Sequence, residues 1–101
     1  MLLGIDEGTS AVKAVLFDED LTPVREARRE KRTAHPRPGW VEQDAEEILE
    51  AVVWAAREAI GSERVDAVGL DHQGESVVAW DPATGRPLSP VVTWQDKRGV
   101  C

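Results

Sequence analysis

Residues 2–18, LLGIDEGTSAVKAVLFD, contain two apolar runs that are separated by five residues. The first run, residues 2–6, ends on the carboxylate of Asp6. The second run, residues 12–18, contains valines and Phe17, which favour a strand. Because the connection is so short, the two runs are expected to pair as an antiparallel hairpin. This stretch therefore predicts the first two strands of a sheet, with residues 7–11 at the turn.

The next part of the chain predicts a third strand and a loop. Asp18, Asp20 and Pro23 mark a second turn. Residues 24–34 alternate only weakly between apolar and polar side chains and are highly charged, as an edge strand often is. Residues 35–40, HPRPGW, form a loop that its prolines stiffen, because each proline pushes its predecessor toward extended backbone. The first three elements therefore predict a β-meander.

The clearest predicted helix follows this loop. Asp44 is a good N-cap, Glu47 three residues later fits a capping box, and Gly61 is a C-terminal stop. One set of apolar residues recurs at helical spacing and predicts a single buried stripe. The set comprises Ala45, Ile48, Leu49, Val52, Ala56, Ala59 and Ile60.

Three more apolar stretches predict strands after the helix. Residues 65–71 end on Asp71, and a crossover through the helix would place them parallel to the first strand. Residues 76–81 and 91–94 are expected to be strands, and residues 95–101 could begin a helix. The order βββαβ with two further strands predicts a mixed α/β domain, with acids at strand ends where such sheets place their sites.

Asp6, Gly8, Thr9, Ser10 and Lys13 form the strongest candidate site. Gly8 permits a tight turn and close approach of the backbone, and two hydroxyl groups and several main-chain N–H groups surround it. With a lysine nearby, a hairpin tip of this composition can hold a phosphate. The carboxylate at the mouth of the hairpin could hold Mg²⁺ directly or through water. Taken alone, the same residues also fit an ordinary turn with a surface lysine.

A second candidate site lies in residues 71–76, DHQGES, which should reach the sheet edge that holds Asp6. Gln73 and Glu75 suit hydroxyl recognition, because a carboxylate accepts hydrogen bonds and an amide can donate or accept them. The alternative is a polar turn in which His72 is paired with Asp71. No cysteine lies near either histidine of the chain, so a zinc site is not expected.

Trp94, within TWQDKR at residues 93–98, is the third candidate. An indole beside polar groups is a common platform for the apolar face of a carbohydrate or polyol. A core tryptophan at a strand end would account for the same residue without any ligand. The residue types leave both interpretations open.

The composition argues against several classes of protein. The chain has 101 residues and a formal net charge of -7, which fits one small domain without the basic footprint of a nucleic-acid-binding protein. No apolar run is long enough for a bilayer, and the first residues lack the basic segment of a signal peptide. The single cysteine, Cys101, leaves no internal disulfide and favours a reducing cytoplasm. We therefore expect neither a nucleic-acid nor a membrane partner.

Taken in order, four stretches resemble the N-terminal part of the FGGY family of carbohydrate kinases. They are LGIDEGTSAVKAVLFD (3–18), PRPGWVEQDAEEI (36–48), VGLDHQGESVVAWDPATGRPL (68–88) and VVTWQDKRGVC (91–101). The resemblance implies an actin-like, ribonuclease-H-like mixed sheet. In this family ATP and the sugar meet in a cleft between two such lobes. Residues 1–101 would then be the N-terminal part of the first lobe, with the second lobe absent.

The resemblance also implies roles for the hairpin residues, with ATP and Mg²⁺ as cofactors. Asp6 matches the family's Mg²⁺-associated aspartate. Thr9 and Ser10, beside Gly8, match the hydroxyl residues of the phosphate-binding hairpin. Lys13 matches a basic position of the family.

On the substrate side, Gln73, Gly74 and Glu75 fall on the loop that binds the sugar or polyol, and Trp94 matches the tryptophan that packs against it. Glycerol-kinase-like members carry Gln-Arg-Glu in this loop, so Gly74 replaces an arginine. Because a guanidinium is a clamp with several donors, its loss makes glycerol a doubtful substrate and favours a larger sugar or polyol. Glu7 also departs from the family, since glycerol kinases often have glutamine there.

No catalytic residue is expected in this chain. In the family, the aspartate that takes the hydroxyl proton lies far downstream of residue 101, and the adenosine pocket belongs to the second lobe. Phosphoryl transfer depends on positioning and charge stabilisation in the closed site. We therefore expect the chain to be inactive alone, and to need the second lobe or another subunit to act on a small-molecule sugar or polyol.

Two other interpretations remain open. A metal-dependent nuclease would use Asp6, Glu47 and Asp71 as a carboxylate cluster. It is disfavoured because the capping box already uses Glu47 and because a charge of -7 repels nucleic acid. A non-catalytic remnant or assembly module would keep the sequence of the lobe without its reaction, and would expose apolar area.

Overall fold

The computed structural model describes residues 1–99. The elements in chain order are β1 (Leu2–Glu7), β2 (Ala11–Phe17), β3 (Pro23–Glu30), β4 (Glu42–Gln43), α1 (Ala45–Ile60), β5 (Ala67–His72) and β6 (Val91–Val92). Four strands form one sheet in the order β3-β2-β1-β5, and β4 pairs with β6 in a second, two-stranded sheet. Among the described residues, no helix is long and apolar enough to span a membrane.

The pairing of the main sheet confirms the predicted meander and crossover. β1 pairs antiparallel with β2, β2 pairs antiparallel with β3, and β5 joins β1 in parallel after the helix. The third strand ends at Glu30 rather than near residue 34. The register sets Asp6 opposite Lys13 on one side and Asp71 on the other. Strand order therefore brings two acids that are 65 residues apart in sequence to neighbouring positions.

The core lies between α1 and one face of the sheet. Strand residues alternate between the two faces, so Leu3 and Ile5 are buried while Asp6 is exposed. The fully buried strand residues are Val12, Ala14 and Leu16, and those of the helix are Ala51, Ala55 and Ala59. Because alanines are small, the helix axis can approach the sheet closely. Burial of a side chain such as Leu16 contributes about 2–3 kcal/mol relative to an exposed one.

The helix begins and ends where predicted. Asp44 is the N-cap, and its carboxylate accepts a hydrogen bond from the Glu46 amide. Gly61 is the C-cap with φ of 58°, in the region that favours glycine. The predicted capping box is wrong, because the Glu47 carboxylate accepts from the Arg32 amide at 2.7 Å and from Arg32 Nε at 3.1 Å instead. These two hydrogen bonds lower the pKa of the Glu47 carboxyl group.

The predicted buried stripe is confirmed in part. Ala59 is fully buried and Val52, Ala56 and Ile60 are partly buried against the core, but Leu49 is 63% exposed. The fully buried line runs instead through Ala51, Ala55 and Ala59. The reason is that α1 packs on β1, β2 and β3. Helical side chains directed beyond that contact remain partly or fully exposed.

The chain after β5 has little regular structure. Residues 76–81, which were predicted as a strand, form only isolated bridges, Val77 with Val92 and Trp80 with Pro87. The predicted strand at 91–94 is reduced to the two residues of β6. Prolines at positions 87 and 90 lack the N–H groups that a continuous ladder needs. Residues 95–99 form turns and not the start of a helix, and Val100 and Cys101 lie outside the described residues.

Candidate functional site

The β1–β2 hairpin places Gly8, Thr9 and Ser10 at one end of the sheet. The Gly8 N–H donates to the Ala11 carbonyl at 3.0 Å, which closes the turn. A Cβ atom at position 8 would lie 3.1 Å from the Ala11 oxygen, so the turn favours glycine there. The Lys31 N–H donates to the Ser10 carbonyl at 2.9 Å. The residue that follows β3 therefore holds the hairpin tip through a main-chain hydrogen bond.

Asp6 lies on the face of the sheet that α1 does not cover. Its register neighbours on that face are Lys13 and Asp71. Lys13 is half-exposed and forms an ion pair with Glu26 at 3.5 Å. Within residues 1–99 the Asp6 carboxylate forms no hydrogen bond or ion pair. Two neighbouring carboxylates are hard oxygen ligands, and Mg²⁺ is commonly held by one or two carboxylates together with a phosphate.

Three carboxylates do not converge on this face. Among the described residues, no group of three or more His, Cys, Asp or Glu side chains is placed to hold a metal ion. Glu47, the third acid considered for a nuclease, lies on α1 and is hydrogen-bonded to Arg32. The arrangement of Asp6 and Asp71 thus differs from a site in which three protein carboxylates enclose the metal.

Trp94 contacts the hairpin directly. Its indole Nε1–H donates to the Thr9 hydroxyl at 2.9 Å, across 85 positions of sequence. The Trp94 main-chain N–H donates to the Ser76 hydroxyl at 3.2 Å. The side chain is about half-exposed, at 51%. Trp94 is therefore neither a core tryptophan nor an isolated surface residue, and it has one indole edge anchored with the rest of the ring accessible.

In the loop that follows β5, Gln73 is held by hydrogen bonds, whereas Gly74 and Glu75 are exposed. The Gln73 N–H donates to the Glu7 carbonyl at 2.9 Å, and its side-chain Nε2 donates to Gln43 Oε1 at 3.0 Å. Glu75 is exposed, with φ of 60°, and it forms no hydrogen bond or ion pair within residues 1–99. Nothing lies within 4 Å of a Cβ built on Gly74. The structure thus joins Gln73 to the base of the hairpin and leaves Gly74 and Glu75 in a turn that is exposed to solvent.

His72 takes part in the polar turn that the sequence left as an alternative. Its main-chain N–H donates to the Asp71 carboxylate at 3.0 Å. Its ring Nδ1 lies 3.2 Å from the Gln73 carbonyl oxygen. The pairing with Asp71 is therefore made by the backbone of His72 rather than by its imidazole.

A buried polar cluster lies beneath the hairpin and was not predicted from the sequence. The Lys31 ammonium group, 1% exposed, forms an ion pair with the Glu7 carboxylate and donates to Gln43 Oε1 at 3.3 Å. Gln43 is 3% exposed. One signal was present in the sequence, because Glu7 has the same strand parity as Leu3 and Ile5 and so had to face the core. Its partners come from distant segments and could not be identified.

A second polar cluster anchors the segment that carries Trp94. The Arg98 guanidinium group lies 3.9 Å from the centroid of the Trp40 ring and forms ion pairs with Glu42 at 2.7 Å and Asp96 at 2.8 Å. The Val41 N–H donates to the same Asp96 carboxylate at 2.6 Å. These contacts hold the pKa of Asp96 well below its usual range and raise the pKa of Arg98. The proline-rich loop is thereby joined to the chain on the C-terminal side of Trp94.

Comparison with known proteins gives consistent results. The model for the N-terminal domain of the FGGY family of carbohydrate kinases matches residues 1–100. Glycerol kinases of Bordetella pertussis and Saccharolobus islandicus are 42% and 40% identical, over 96% of this chain and 20% of their own length. The chain thus spans about a fifth of the length of these relatives.

Solved structures give the same result. Plasmodium falciparum glycerol kinase with ADP matches with a TM-score of 0.91 and 31% identity, over 96% of this chain and 21% of that one. Xylulose kinase from Rhodospirillum rubrum matches with a TM-score of 0.83 and 27% identity, over 95% and 21%. The predicted ribonuclease-H-like, actin-like fold is confirmed for the portion present here. The chain belongs to the FGGY family of carbohydrate kinases and matches the family's N-terminal domain.

Proposed function

We propose that this chain supplies the phosphate-binding hairpin and part of the substrate site of an ATP-dependent sugar or polyol kinase. The observation that carries the proposal is the hydrogen bond from Trp94 Nε1 to the Thr9 hydroxyl. This hydrogen bond places Trp94, whose ring suits the apolar face of a sugar, beside the hairpin whose groups suit a phosphate. A phosphoryl-transfer site needs this proximity, because the attacking hydroxyl and the γ-phosphoryl group must meet in line.

On the nucleotide side, the hairpin provides several groups for phosphate oxygens. Gly8, Thr9 and Ser10 contribute main-chain N–H groups and two hydroxyls, and Lys13 contributes a positive charge. The exposed Asp6 carboxylate, with Asp71 beside it in register, fits a role in holding Mg²⁺ directly or through water. When bound, the ion would offset the negative charge that the phosphate oxygens carry during transfer.

On the substrate side, Trp94 presents its accessible ring to the apolar face of a sugar or polyol. The Glu75 carboxylate is exposed, and we infer that it accepts a hydrogen bond from a substrate hydroxyl group. Gln73 holds the start of this loop against the hairpin. Gly74 offers no side chain, so the substrate we expect is larger than glycerol and fills the open space at this position.

The proposed reaction moves one phosphoryl group. A substrate hydroxyl oxygen bonds to the γ-phosphorus of ATP, the bond from that phosphorus to the β–γ bridging oxygen breaks, and ADP leaves. The hydroxyl proton passes to a carboxylate base, which we place outside this chain. The adenosine pocket and this base would come from a second lobe or another subunit, and the cytoplasm would supply ATP.

The test compares the chain alone with a two-lobe protein. We expect the purified 101-residue chain to transfer no phosphate from radiolabelled ATP to glycerol, xylitol, D-xylulose or D-gluconate above the level of its Asp6→Ala variant. Joined to the remaining four-fifths of a glycerol kinase relative, it should phosphorylate at least one of them. Asp6→Ala should then lower kcat/KM by about 100-fold or more, because a metal-holding charge is lost.

The matched control is Asp20→Ala, which removes an exposed carboxylate in the turn between β2 and β3 and should leave activity unchanged. A folded two-lobe protein that is inactive on the whole panel would favour the remnant interpretation. Activity of the chain alone, lost in Asp6→Ala, would refute the need for a second lobe. Mn²⁺-dependent cleavage of an RNA–DNA hybrid would revive the nuclease interpretation.

A further inference from the structure

The Gln43 side chain bridges the phosphate hairpin and the substrate loop. Its Nε2 donates to the Thr9 carbonyl at 2.7 Å and to the Thr33 hydroxyl at 3.1 Å. Its Oε1 accepts from Gln73 Nε2 at 3.0 Å and from Lys31 Nζ at 3.3 Å. With two donors and two acceptor positions used, the amide has its full set of hydrogen bonds. Gln43 therefore touches the hairpin with one end of its amide and the substrate loop with the other.

The orientation of this amide is set by its partners. The Thr9 carbonyl can only accept and the Lys31 ammonium group can only donate, so exchanging the amide oxygen and nitrogen would lose both contacts. Gln43 is 3% exposed, and water does not compete for these bonds. Hydrogen bonds in such a site are stronger than in water and fix their members in one geometry. A displacement of the Thr9 carbonyl or of the Gln73 amide should therefore displace the other group as well.

The neighbouring ion pair makes the bridge rigid. Glu7 Oε1 accepts from Lys31 and also from Gln73 Nε2 at 3.4 Å. The side chains of Lys31 and Glu7 are 1% and 12% exposed, so the two charges are poorly screened and hold the donors in place. The Glu7 carboxylate thus fixes the positions of Lys31 Nζ and Gln73 Nε2, the two donors to Gln43 Oε1.

Thr9 is consequently contacted from two sides. Its hydroxyl accepts from Trp94 and its carbonyl accepts from Gln43. Both contacts lead to residues proposed for the sugar site. At the other end of the bridge, Gln73 Oε1 is buried without a hydrogen-bond partner among the described residues. A rearrangement of residues 73–75 around a substrate can add a bond at this oxygen and so alter the bridge.

We propose that Gln43 is a positioning residue that couples the two halves of the site, so that polyol and nucleotide each strengthen the binding of the other. This proposal rests on the proposed kinase function. Coupling between two ligands is reciprocal, and it typically changes affinity by about 5- to 150-fold. Gln43 contacts neither ligand in this scheme. It acts through the carbonyl of Thr9 and the amide of Gln73.

The test measures the dissociation constant of ADP–Mg²⁺ by calorimetry in the two-lobe protein, with and without its best substrate from the panel above. The ratio of the two constants should be about 5 or more in the wild-type protein. In Gln43→Glu it should fall below about 2, because this isosteric change removes the donor to Thr9 and keeps the acceptor for Gln73.

Gln95→Glu is the matched control, since it makes the same substitution at an exposed position and should keep the wild-type ratio. A ratio near 1 in the wild-type protein, an unchanged ratio in Gln43→Glu, or an equal fall in Gln95→Glu would each overturn the proposal. Phosphorylation measured in the same samples tests the kinase function separately. An active enzyme without coupling refutes only the role of Gln43, whereas an enzyme that neither reacts nor binds refutes both.

A second measurement does not depend on any variant folding. In the wild-type two-lobe protein, adding the substrate without nucleotide should shift the NMR resonances of the Gln43 side-chain amide and of the Thr9 and Ser10 main-chain amides. The main-chain amide of Asp20, in the turn between β2 and β3, should not move. If only the resonances of the substrate loop shift, Gln43 does not couple this loop to the hairpin and the proposal fails.

Discussion

Two regions of this small protein are held together by different forces. In the region of β1, β2, β3 and α1, the alternating strand residues and the helix alanines form a dry core, with Val12, Ala14 and Leu16 at 0% exposure. In residues 67–99 large apolar side chains lie at the surface, including Leu70 at 61% and Leu88 at 68%. The first region has a core of its own, whereas the second contributes little to a core beyond Val91 and is held by the pairing of β5 with β1 and of β6 with β4, together with side-chain hydrogen bonds.

This difference explains how the candidate site is built. The hairpin belongs to the packed region, and Gln73 and Trp94 belong to the exposed one. The hydrogen bonds of Trp94 to the Thr9 hydroxyl and of the Gln73 main-chain N–H to the Glu7 carbonyl cross the boundary between them. The phosphate hairpin thus extends from the packed sheet and is held by buried polar groups beneath it, whereas the substrate loop and Trp94 are positioned by a few hydrogen bonds at the surface. The following predictions test that contrast, from the largest expected effect on stability to the smallest.

The buried ion pair should give the largest effect. Lys31→Met leaves the Glu7 carboxylate buried without its counter-charge, so the free energy of unfolding should fall by about 3–5 kcal/mol. The measurement is urea unfolding of the chain followed by circular dichroism. Adding Glu7→Gln to Lys31→Met should recover part of the loss, because no charge then remains buried. The exposed Lys97→Met is the control, and an equal loss in it would contradict the prediction.

Truncation of a leucine to alanine should change the unfolding free energy strongly in the first region and very little in the second. Leu16→Ala creates a cavity in the core and should cost about 2–5 kcal/mol in unfolding free energy. Leu88→Ala, at a residue 68% exposed, should change it by no more than about 0.5 kcal/mol. The same unfolding experiment measures both. Similar losses at the two positions would mean that residues 67–99 have a core after all.

The cluster around Arg98 should make stability depend on pH in acid. The pKa of Asp96 is lowered, chiefly by its hydrogen bonds with Arg98, so the folded chain binds the proton of this group less readily than the unfolded chain. Its contribution is therefore present above the ordinary pKa of about 3.9 and is lost as the pH falls below that value.

Asp96→Asn removes this titration, and unfolding free energy measured between pH 7 and pH 2.5 should fall less steeply in the variant. Glu47→Gln tests the second carboxyl group with a lowered pKa, which lies in the packed region. If Asp96→Asn reproduces the wild-type pH profile, the ion pair with Arg98 contributes nothing to stability.

The smallest effect on stability is expected at Gly74. Its surroundings are open and its φ is not in the left-handed region, so Gly74→Arg should change the unfolding free energy by no more than about 0.5 kcal/mol. In the two-lobe protein, the added guanidinium group should raise kcat/KM for glycerol relative to D-xylulose by about 10-fold or more. Gly99→Arg, at another open glycine, should not alter that ratio.

Much of the fold could be predicted from local patterns. The two apolar runs in residues 2–18 and their short connection predicted the hairpin, and Asp44 and Gly61 predicted the helix ends, because these signals lie within a few residues of the structure they specify. Residues 76–81 were predicted wrongly as a strand. Their composition favours extended backbone, but a strand also needs a partner with N–H groups to pair with, and Pro87 and Pro90 lie opposite or nearby.

By itself, the sequence determined the meander, the capped helix, the strand after the helix parallel to the first, and the family, since these depend on apolar runs, caps and contiguous motifs. The tertiary structure alone decided that Glu7 pairs with Lys31, that Gln43 joins the hairpin to Gln73, and that Trp94 donates to Thr9. The physical reason is that polar groups pair with the donors and acceptors that the fold brings near them, and burial makes such pairing obligatory for Glu7, Lys31 and Gln43. In the pairs Lys31 and Glu7, Gln43 and Thr9, and Trp94 and Thr9, the partners lie 24 to 85 positions apart in the chain. No local sequence pattern spans such a separation.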